Sequence, residues 1–496
     1  MTRKQTLHST SCSRFPTPYG FARAAALCML TASATACGNK VTPTPDKEPP
    51  PPSAQPSAAI VAPTASAAKE EPQAIPMLVR EKFEPASGGD VYAVEGAVMV
   101  AEGFRVGRIV DEKVEWLPKK IPESAFGSPN TIDSVHGRWP DSIGVIYSNT
   151  NGRARQPAYY PITGAGMQHF SSEGSSVGDI YGVARLGEAT LVGARGYAGV
   201  EFVAVRGVVG RKPQTPEQAG CKEGEVQKTD LNPSPPAVTP AGIESTPEGS
   251  LVSIGTFCGE RGVAAEVWDK NGKSRIIDLS RWWKKLHYEL TLMKGDGDEL
   301  WAYSDPWVPV LHYRNGEFEA VPILEWPIQD VFVSARGVLH ANDGAMLFRY
   351  EGGKWNSIGQ LDKPTTFSTI AMDEKGTIWV GGGSRLRPGP GPGPGGAREA
   401  CKTHFVHLYE VSWKNDNKFT YPATRKALST FPEVAGLGLV EFGDRYDRRL
   451  GITVKSRAQG EAVVAHLKET MKDEVPMLTC FEPGKDARKI DMDAKK

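Results

Sequence analysis

From residue 77 to about residue 425 the chain alternates short apolar runs, rich in Val, Ile, Tyr, Phe and Trp, with turns built on Gly, Asn-Gly and Gly-Gly. Helical periodicity is almost absent over this stretch, and short runs bounded by turn residues predict β-strands. Four segments share one pattern, a turn followed by an apolar strand: Gly249-Ser250-Leu251-Val252, Asp298-Glu299-Leu300-Trp301, Gly337-Val338-Leu339-His340 and Gly376-Thr377-Ile378-Trp379. The matched positions 251, 300, 339 and 378 are separated by 49, 39 and 39 residues. Each is followed by a second turn before a final strand, at Asp269-Lys270-Asn271-Gly272, Arg314-Asn315-Gly316, Glu351-Gly352-Gly353 and Lys414-Asn415-Asp416-Asn417.

Hairpin pairs at this spacing predict propeller blades, because a four-stranded sheet of that size buries its faces only against its neighbours. Weaker copies begin near Val91-Tyr92, Ile143-Gly144-Val145-Ile146 and Ala189-Thr190-Leu191-Val192. The expected fold is all-β, a β-propeller of about seven blades, with six or eight also fitting the length; a β-sandwich pair is the alternative. In the last unit the Pro-Gly run from Arg387 to Gly396 reads as an exposed loop on one blade.

Beyond residue 425 the pattern changes. Leu450–Val454 and Met477–Phe481 read as strands, and Glu461–Met471 as a helix with Val464, Leu467 and Met471 on one face. Residues 426–496 are therefore expected to form a small β-α-β appendix beside the segment Thr403–Trp413, with Cys480 near Cys401.

The first 76 residues belong to neither pattern. Arg3, Lys4, Arg14 and Arg23 precede an uncharged, Ala-rich run from Ala24 to Ala36, the layout of a signal peptide. Residues 37–76 are dominated by Pro, Ala, Ser and Thr, a composition that cannot bury enough apolar surface to fold and reads as a linker. At about 3 Å per extended residue it could hold a domain up to roughly 100 Å away. The stretch Ala34-Thr35-Ala36-Cys37-Gly38 resembles a lipobox, the signal-peptidase II site of bacterial lipoproteins, with Ala34 where Leu is usual. The resemblance implies cleavage before Cys37, a lipid on that cysteine, and attachment to a membrane. Gly38 in second place implies passage to the outer membrane in bacteria that have two, on the periplasmic or the outer face.

Charge argues for no particular partner. The chain balances 58 basic against 58 acidic residues, and losing residues 1–36 removes four bases and no acid, which leaves a net charge of about −4. With no basic excess or stripe, no nucleic-acid partner is expected. Export to an oxidising compartment accounts for the cysteines: Cys12 and Cys28 leave with the signal peptide, and Cys221, Cys258, Cys401 and Cys480 suffice for two disulfides. Cys221 with Cys258 and Cys401 with Cys480 joins neighbouring segments of the expected architecture.

Asp373-Glu374-Lys375-Gly376-Thr377-Ile378-Trp379-Val380-Gly381-Gly382 resembles the repeat of two-component-regulator propellers, in which Asp, two residues, Gly and an apolar-Trp-Val-Gly strand recur in each blade. It covers one blade and implies the architecture, not a sensor role. The chain as a whole resembles lipoproteins of predatory and social soil bacteria, a class recognised by its make-up rather than by a known activity.

Short chemical motifs are weak. Gly174-Ser175-Ser176-Val177-Gly178 matches G-x-S-x-G, but a strand-like run follows where a nucleophile elbow needs a helix. His404 and His407, three apart in a strand, point to opposite faces and make a poor metal pair. Asp296 and Asp298 lack the spacing of an EF-hand loop. No metal or cofactor is expected. Trp282, Trp283, Trp301, Trp307 and Trp326 fall close together in sequence and are the candidate for an aromatic binding patch, with filling between blades as the plainer role. Two functions follow. One is a non-catalytic, lipid-anchored envelope propeller that binds a protein, peptide or glycan; the alternative is an envelope hydrolase or lyase with carboxylates or a metal gathered in the central funnel.

Overall fold

The computed structural model describes residues 75–490 with interruptions, the longest at 122–129, 205–212, 227–234, 393–400, 412–425 and 429–436. The chain enters on β1 (Pro76–Lys82), whose place becomes clear only at the end of the ring. Blade 1 is β2 (Asp90–Val94), β3 (Ala97–Glu102), β4 (Arg105–Val110) and β5 (Lys113–Trp116). Blade 2 is β6 (Asn130–Arg138), β7 (Ser142–Thr150), β8 (Arg155–Pro161) and β9 (Phe170–Ser171), and blade 3 shows three strands among the described residues, β10 (Val177–Leu186), β11 (Ala189–Gly196) and β12 (Gly199–Ala204). Blade 4 comprises β13 (Val238–Ser245), β14 (Leu251–Phe257), β15 (Gly262–Trp268) and β16 (Ser274–Asp278). Blade 5 comprises β17 (Thr291–Lys294), β18 (Leu300–Tyr303), β19 (Leu311–Arg314) and β20 (Glu317–Ala320). Blade 6 comprises β21 (Asp330–Val333), β22 (Leu339–Asn342), β23 (Met346–Glu351) and β24 (Lys354–Leu361).

Blade 7 contributes only β25 (Ile370–Met372), β26 (Ile378–Val380) and β27 (Ser384–Pro392) from its own sequence, and β1 supplies the fourth strand. The first strands touch in the cycle β2, β6, β10, β13, β17, β21, β25 and back to β2. A closed ring of seven inner strands makes the fold a seven-bladed β-propeller.

The repeat period was legible, but its phase lies one strand further on. Positions 251, 300, 339 and 378 open β14, β18, β22 and β26, the second strand of each blade. The inner strands β17, β21 and β25 are only three or four residues long, too short for a periodic signal. The turn between first and second strand carries the repeat. In blade 7 Asp373 Oδ1 accepts from Lys375 N and Thr377 N at 2.9 and 2.8 Å, and Oδ2 accepts from Trp379 Nε1 at 3.1 Å. That one carboxylate ties Asp373, the turn at Gly376 and Trp379 into a single local circuit. Gly337 in the corresponding turn of blade 6 has φ +76, and a Cβ there would lie 2.4 Å from the Gly295 carbonyl carbon of blade 5.

Two expectations at the last blade are corrected. The Pro-Gly run is not simply a loop, since residues up to Pro392 continue β27 and pair with β1, from Lys82↔Ser384 to Pro76↔Pro392. Proline lacks an N–H and fits a strand only at an edge. The pairing of β26 with β27 stops at Leu386, which leaves β27 one neighbour along its proline stretch. The segment after Thr403 was read as the completion of this blade; with β1 already in that place, it joins a different sheet.

That sheet is the C-terminal appendix, antiparallel throughout: β28 (His404–Val411), β29 (Leu439–Gly443), β30 (Arg448–Val454), β31 (Met477–Cys480) and β32 (Arg488–Ile490), in the order β31-β28-β30-β29-β32. The appendix therefore includes β28 as well as residues beyond 425, and has five strands rather than two. Helix α1 (Arg457–Thr470) starts four residues before the expected Glu461, because Ser456 caps it by accepting from Gln459 N at 3.2 Å. Its buried face is Val463 and Leu467, packed on Leu439, Ile452 and Val454.

Cys221–Cys258 and Cys401–Cys480 are disulfide-bonded. The second ties the segment leading into β28 to the end of β31. Against blade 5, Arg449 of β30 makes a bidentate pair with Asp305, 3.1 and 2.6 Å, with both side chains buried. Trp307 packs beside it against His407, Phe442 and Phe481.

Ring closure rests on β1. Leu78 packs with Phe332, Leu347, Leu361 and Leu386 from blades 6 and 7. Replacing it with Ala is expected to cost about 2–5 kcal/mol, the range for a buried Leu, and Asp373→Ala about 1–3 kcal/mol through its stranded donors. Chemical denaturation of the full chain followed by circular dichroism checks both; a Leu78→Ala midpoint equal to wild type would show that β1 does not hold the ring.

Candidate functional site

The inner strands end together at one mouth of the central channel, where parallel bridges join Glu95 to Arg138 and Ser334 to Met372. At this mouth blades 2 to 5 leave a small recess of about 20 Å³, partly open to solvent. Its lining comes from His136 and Gly137 on β6, Val183, Ala184 and Arg185 on β10, Thr190 on β11, Glu244 on β13 and Lys294 on β17. Each ionisable member sits near the end of its strand, where the chain turns back into the blade. The sheet supplies the position and the turn supplies the opening.

Glu244 and Lys294 face each other across neighbouring blades, with Nζ 3.8 Å from Oε1. Glu244 also accepts from Ser245 N at 2.8 Å. Burial pushes the Glu244 carboxyl above its ordinary range, opposed by the charge of Lys294. His136 moves the other way: burial, and then the repulsion of Lys294, bring it to about 4, so the imidazole is neutral at pH 7. Its Nε2 lies 2.7 Å from Ser134 Oγ.

Arg185 differs from these. Its backbone is fixed, since Arg185 N donates to Ser245 Oγ at 3.1 Å and the same hydroxyl donates back to Arg185 O. Its Nη1 is buried without a hydrogen-bond partner. The hydroxyl of Tyr159, on a fully buried ring, is in the same condition, and the charge of Arg185 reaches it. Gly144 makes room for that ring, because a Cβ on Gly144 would fall 2.0 Å from the Tyr159 oxygen.

The recess therefore offers cationic and neutral donors and one carboxylate already paired with Lys294. No second carboxylate lines the recess among the described residues. Two other clusters carry metal-ligand atom types, Cys221 with Glu225 and Cys258, and Glu325 with Cys401 and His404. In both the cysteine sulfurs are tied up in disulfides, so neither offers a thiolate.

The residues singled out from sequence lie elsewhere. Cys37 is outside the described residues. Trp283 is buried and donates to Pro309 O at 2.9 Å; Trp301 is buried, stacked 3.7 Å from His312, with Nε1 on Gly337 O at 3.1 Å. Trp282 lies under Arg281, Trp307 faces the appendix, and Trp326 is half-buried. Trp282 and Trp283 pack in one cluster of blades 4 and 5, Trp301 in another between blades 5 and 6, and Trp307 against the appendix, so the five do not form one exposed face. Their side chains are large enough to span from blade to blade, which is how Trp301 comes to bond Gly337. His407 is buried on Trp307, and Asp298 accepts from Thr246 Oγ1 at 2.6 Å as a turn residue. Of the G-x-S-x-G run, residues 174–176 lie outside the described residues and 177–178 begin β10, a strand where a nucleophile elbow would have a helix.

His136, Arg185, Glu244 and Lys294 were not found from sequence. They stand on four blades, and no short motif joins them. Their shared signal, a charged or His side chain just before the turn that ends an inner strand, appears only once the blades are aligned.

No family model matches the chain, and no curated protein matches it. Solved structures similar to it include a streptogramin B lyase, 10% identical with TM-score 0.38, covering 63% of this chain and 98% of that one. The extracellular domain of a one-component system from B. thetaiotaomicron is 12% identical with TM-score 0.36, and that of a hybrid two-component system from the same organism 10% with 0.37. These cover 63% and 69% of this chain, which spans 40% and 45% of theirs. No helix among the described residues is long and apolar enough to cross a membrane.

Blade 4 holds a further perturbed group away from the mouth. Glu266 on β15 is 1% exposed and accepts from Gln214 N at 2.8 Å; burial pushes its carboxyl from 4.5 up to about 7. The folded chain then holds a proton that the unfolded chain releases, so this site's contribution to stability is full below about pH 4.5 and is lost as pH rises through 7. Glu266→Gln should match wild type near pH 4 and exceed it by roughly 1–3 kcal/mol at pH 8. Denaturation midpoints across that range check it, and parallel curves would contradict the assignment.

Proposed function

We propose that the chain is a non-catalytic binding propeller of the cell envelope, held to a membrane by a lipid on Cys37, which takes a protein, peptide or glycan ligand at the channel mouth. The observation that supports this most is the recess itself, where a buried guanidinium atom stands without a partner beside a carboxylate already paired with lysine. Such a set can hold a ligand through the guanidinium, with the carboxylate and the lysine already engaged with each other. The linker composition between residues 37 and 75 suits a spacer that carries the propeller clear of the bilayer.

Two experiments test the reading. Cys37→Ser in the full chain should abolish incorporation of labelled palmitate and move the protein from the membrane fraction to the soluble one; retention in the membrane would remove the tether. Arrays of envelope peptides and glycans should capture the wild-type chain, with capture weakened by Lys294→Gln. Recovery of the captured ligand unchanged after prolonged incubation supports a binding module, whereas turnover would replace it with the hydrolase or lyase reading.

A further inference from the structure

The recess has a feature that the binding reading leaves open, namely which chemical group it receives. Arg185 Nη1 is buried with no acceptor, and so is the Tyr159 hydroxyl that its charge reaches. An unpartnered buried donor costs about 1–3 kcal/mol, and a charged one costs more. Both belong to rigid positions, one on the inner strand β10 and one on β8 across Gly144. Tyr159 lies behind the lining, packed with Val183 and Val192, so Arg185, which lines the recess itself, marks the place of an acceptor from outside the chain.

We infer that this acceptor is a carboxylate, bound by the Arg185 guanidinium at the channel mouth. Charge favours a monoanion: Lys294 is matched by Glu244, which leaves Arg185 as the cation of the recess that has no charged partner among the described residues. A dianion such as phosphate would place its second charge near Glu244. Shape favours a carboxylate too, because the guanidinium fork matches two coplanar oxygens. The enclosed space at the recess is only about 20 Å³, room for one or two waters, so nothing larger than an end group enters it. Val183 and Ala184 form an apolar wall for the carbon next to that group. A small organic acid and the C-terminus of a peptide both present this chemistry.

The inference rests on the mouth being a ligand site. Saturation-transfer NMR and calorimetry on the full chain test it with sodium acetate, L-lactate, Gly-Gly-Ala with a free or amidated C-terminus, and inorganic phosphate. Acetate and the free tripeptide should bind and compete with each other, and the amide and phosphate should bind at least about tenfold more weakly. Arg185→Gln should weaken acetate about tenfold or more, and Arg185→Lys, which keeps the charge without the fork, by less. Should Arg185→Gln fail to fold, the lysine variant with a wild-type melting point still gives the comparison. Tighter binding of the free tripeptide than of acetate identifies a peptide end as the source, and the reverse a small acid; both uphold the site. Equal binding of free and amidated peptide, phosphate as tight as acetate, no carboxylate binding, or indifference to both Arg185 variants overturns it. A peptide or glycan captured on the arrays with no such carboxylate dependence would sink this inference while leaving the binding module intact.

Discussion

Everything at the channel mouth depends on one strand being recruited from the far end of the sequence. A ring of blades has no stable half-closed form, since each sheet buries its faces against two neighbours, and an open ring would expose one face at each end. Strand β1 pairs antiparallel with β27 and parallel with β24, so blades 6 and 7 become one eight-stranded sheet. Apolar anchors stand at both ends of it, Leu78 in the blade 6 to 7 core and, just beyond β1, Phe83 on Trp379 at 4.9 Å. Arg385 and Arg387 share Glu81 of β1 and, across to blade 1, Glu112, at 2.6–3.1 Å. Exposed ion pairs contribute little singly, but Arg385 is only 9% exposed and holds two carboxylates at once. The turn that brings Glu112 there is costly: Asp111 and Glu112 have φ of 44 and 65, where glycine or asparagine would be easier. Their side chains reach Lys375 and the arginines of blade 7, so local strain is exchanged for a contact that closes the ring.

The appendix is attached by a different kind of interaction. Asp305 and Arg449 are both buried, and removing two charges from water offsets most of what their attraction supplies. The bidentate geometry instead fixes where the second sheet sits on blade 5. Trp307, Phe442 and Phe481 provide the apolar contact around it, and Cys401–Cys480 ties the segment leading into β28 to the end of β31, its neighbour in the sheet.

How much of this could be read from sequence follows from the range of each interaction. The blade period was legible because turn and strand lie within a few residues; Asp373 to Trp379 is a local circuit of hydrogen bonds. The cysteine pairs followed from which segments neighbour each other. Blade 7 misled because its completing strand lies some three hundred residues earlier in the chain, as the pairing of Lys82 with Ser384 shows. Helix α1 was placed by its apolar face, and its start was missed because Ser456 caps it without an acidic first turn. His136, Arg185, Glu244 and Lys294 come together only through ring closure, so no local pattern contains them.

The placement of β1 has a mechanical side. A pull on the start of β1 directed along the strand would act across its bonds to β27, which run the length of the strand. Such a joint is loaded in shear, with its ladder of hydrogen bonds sharing the force, whereas a strand peeled from its end gives way one bond at a time. A propeller pulled through its closing strand would resist collectively, and when that strand yielded, the ring would lose the piece that completes its seventh blade and open in the same event.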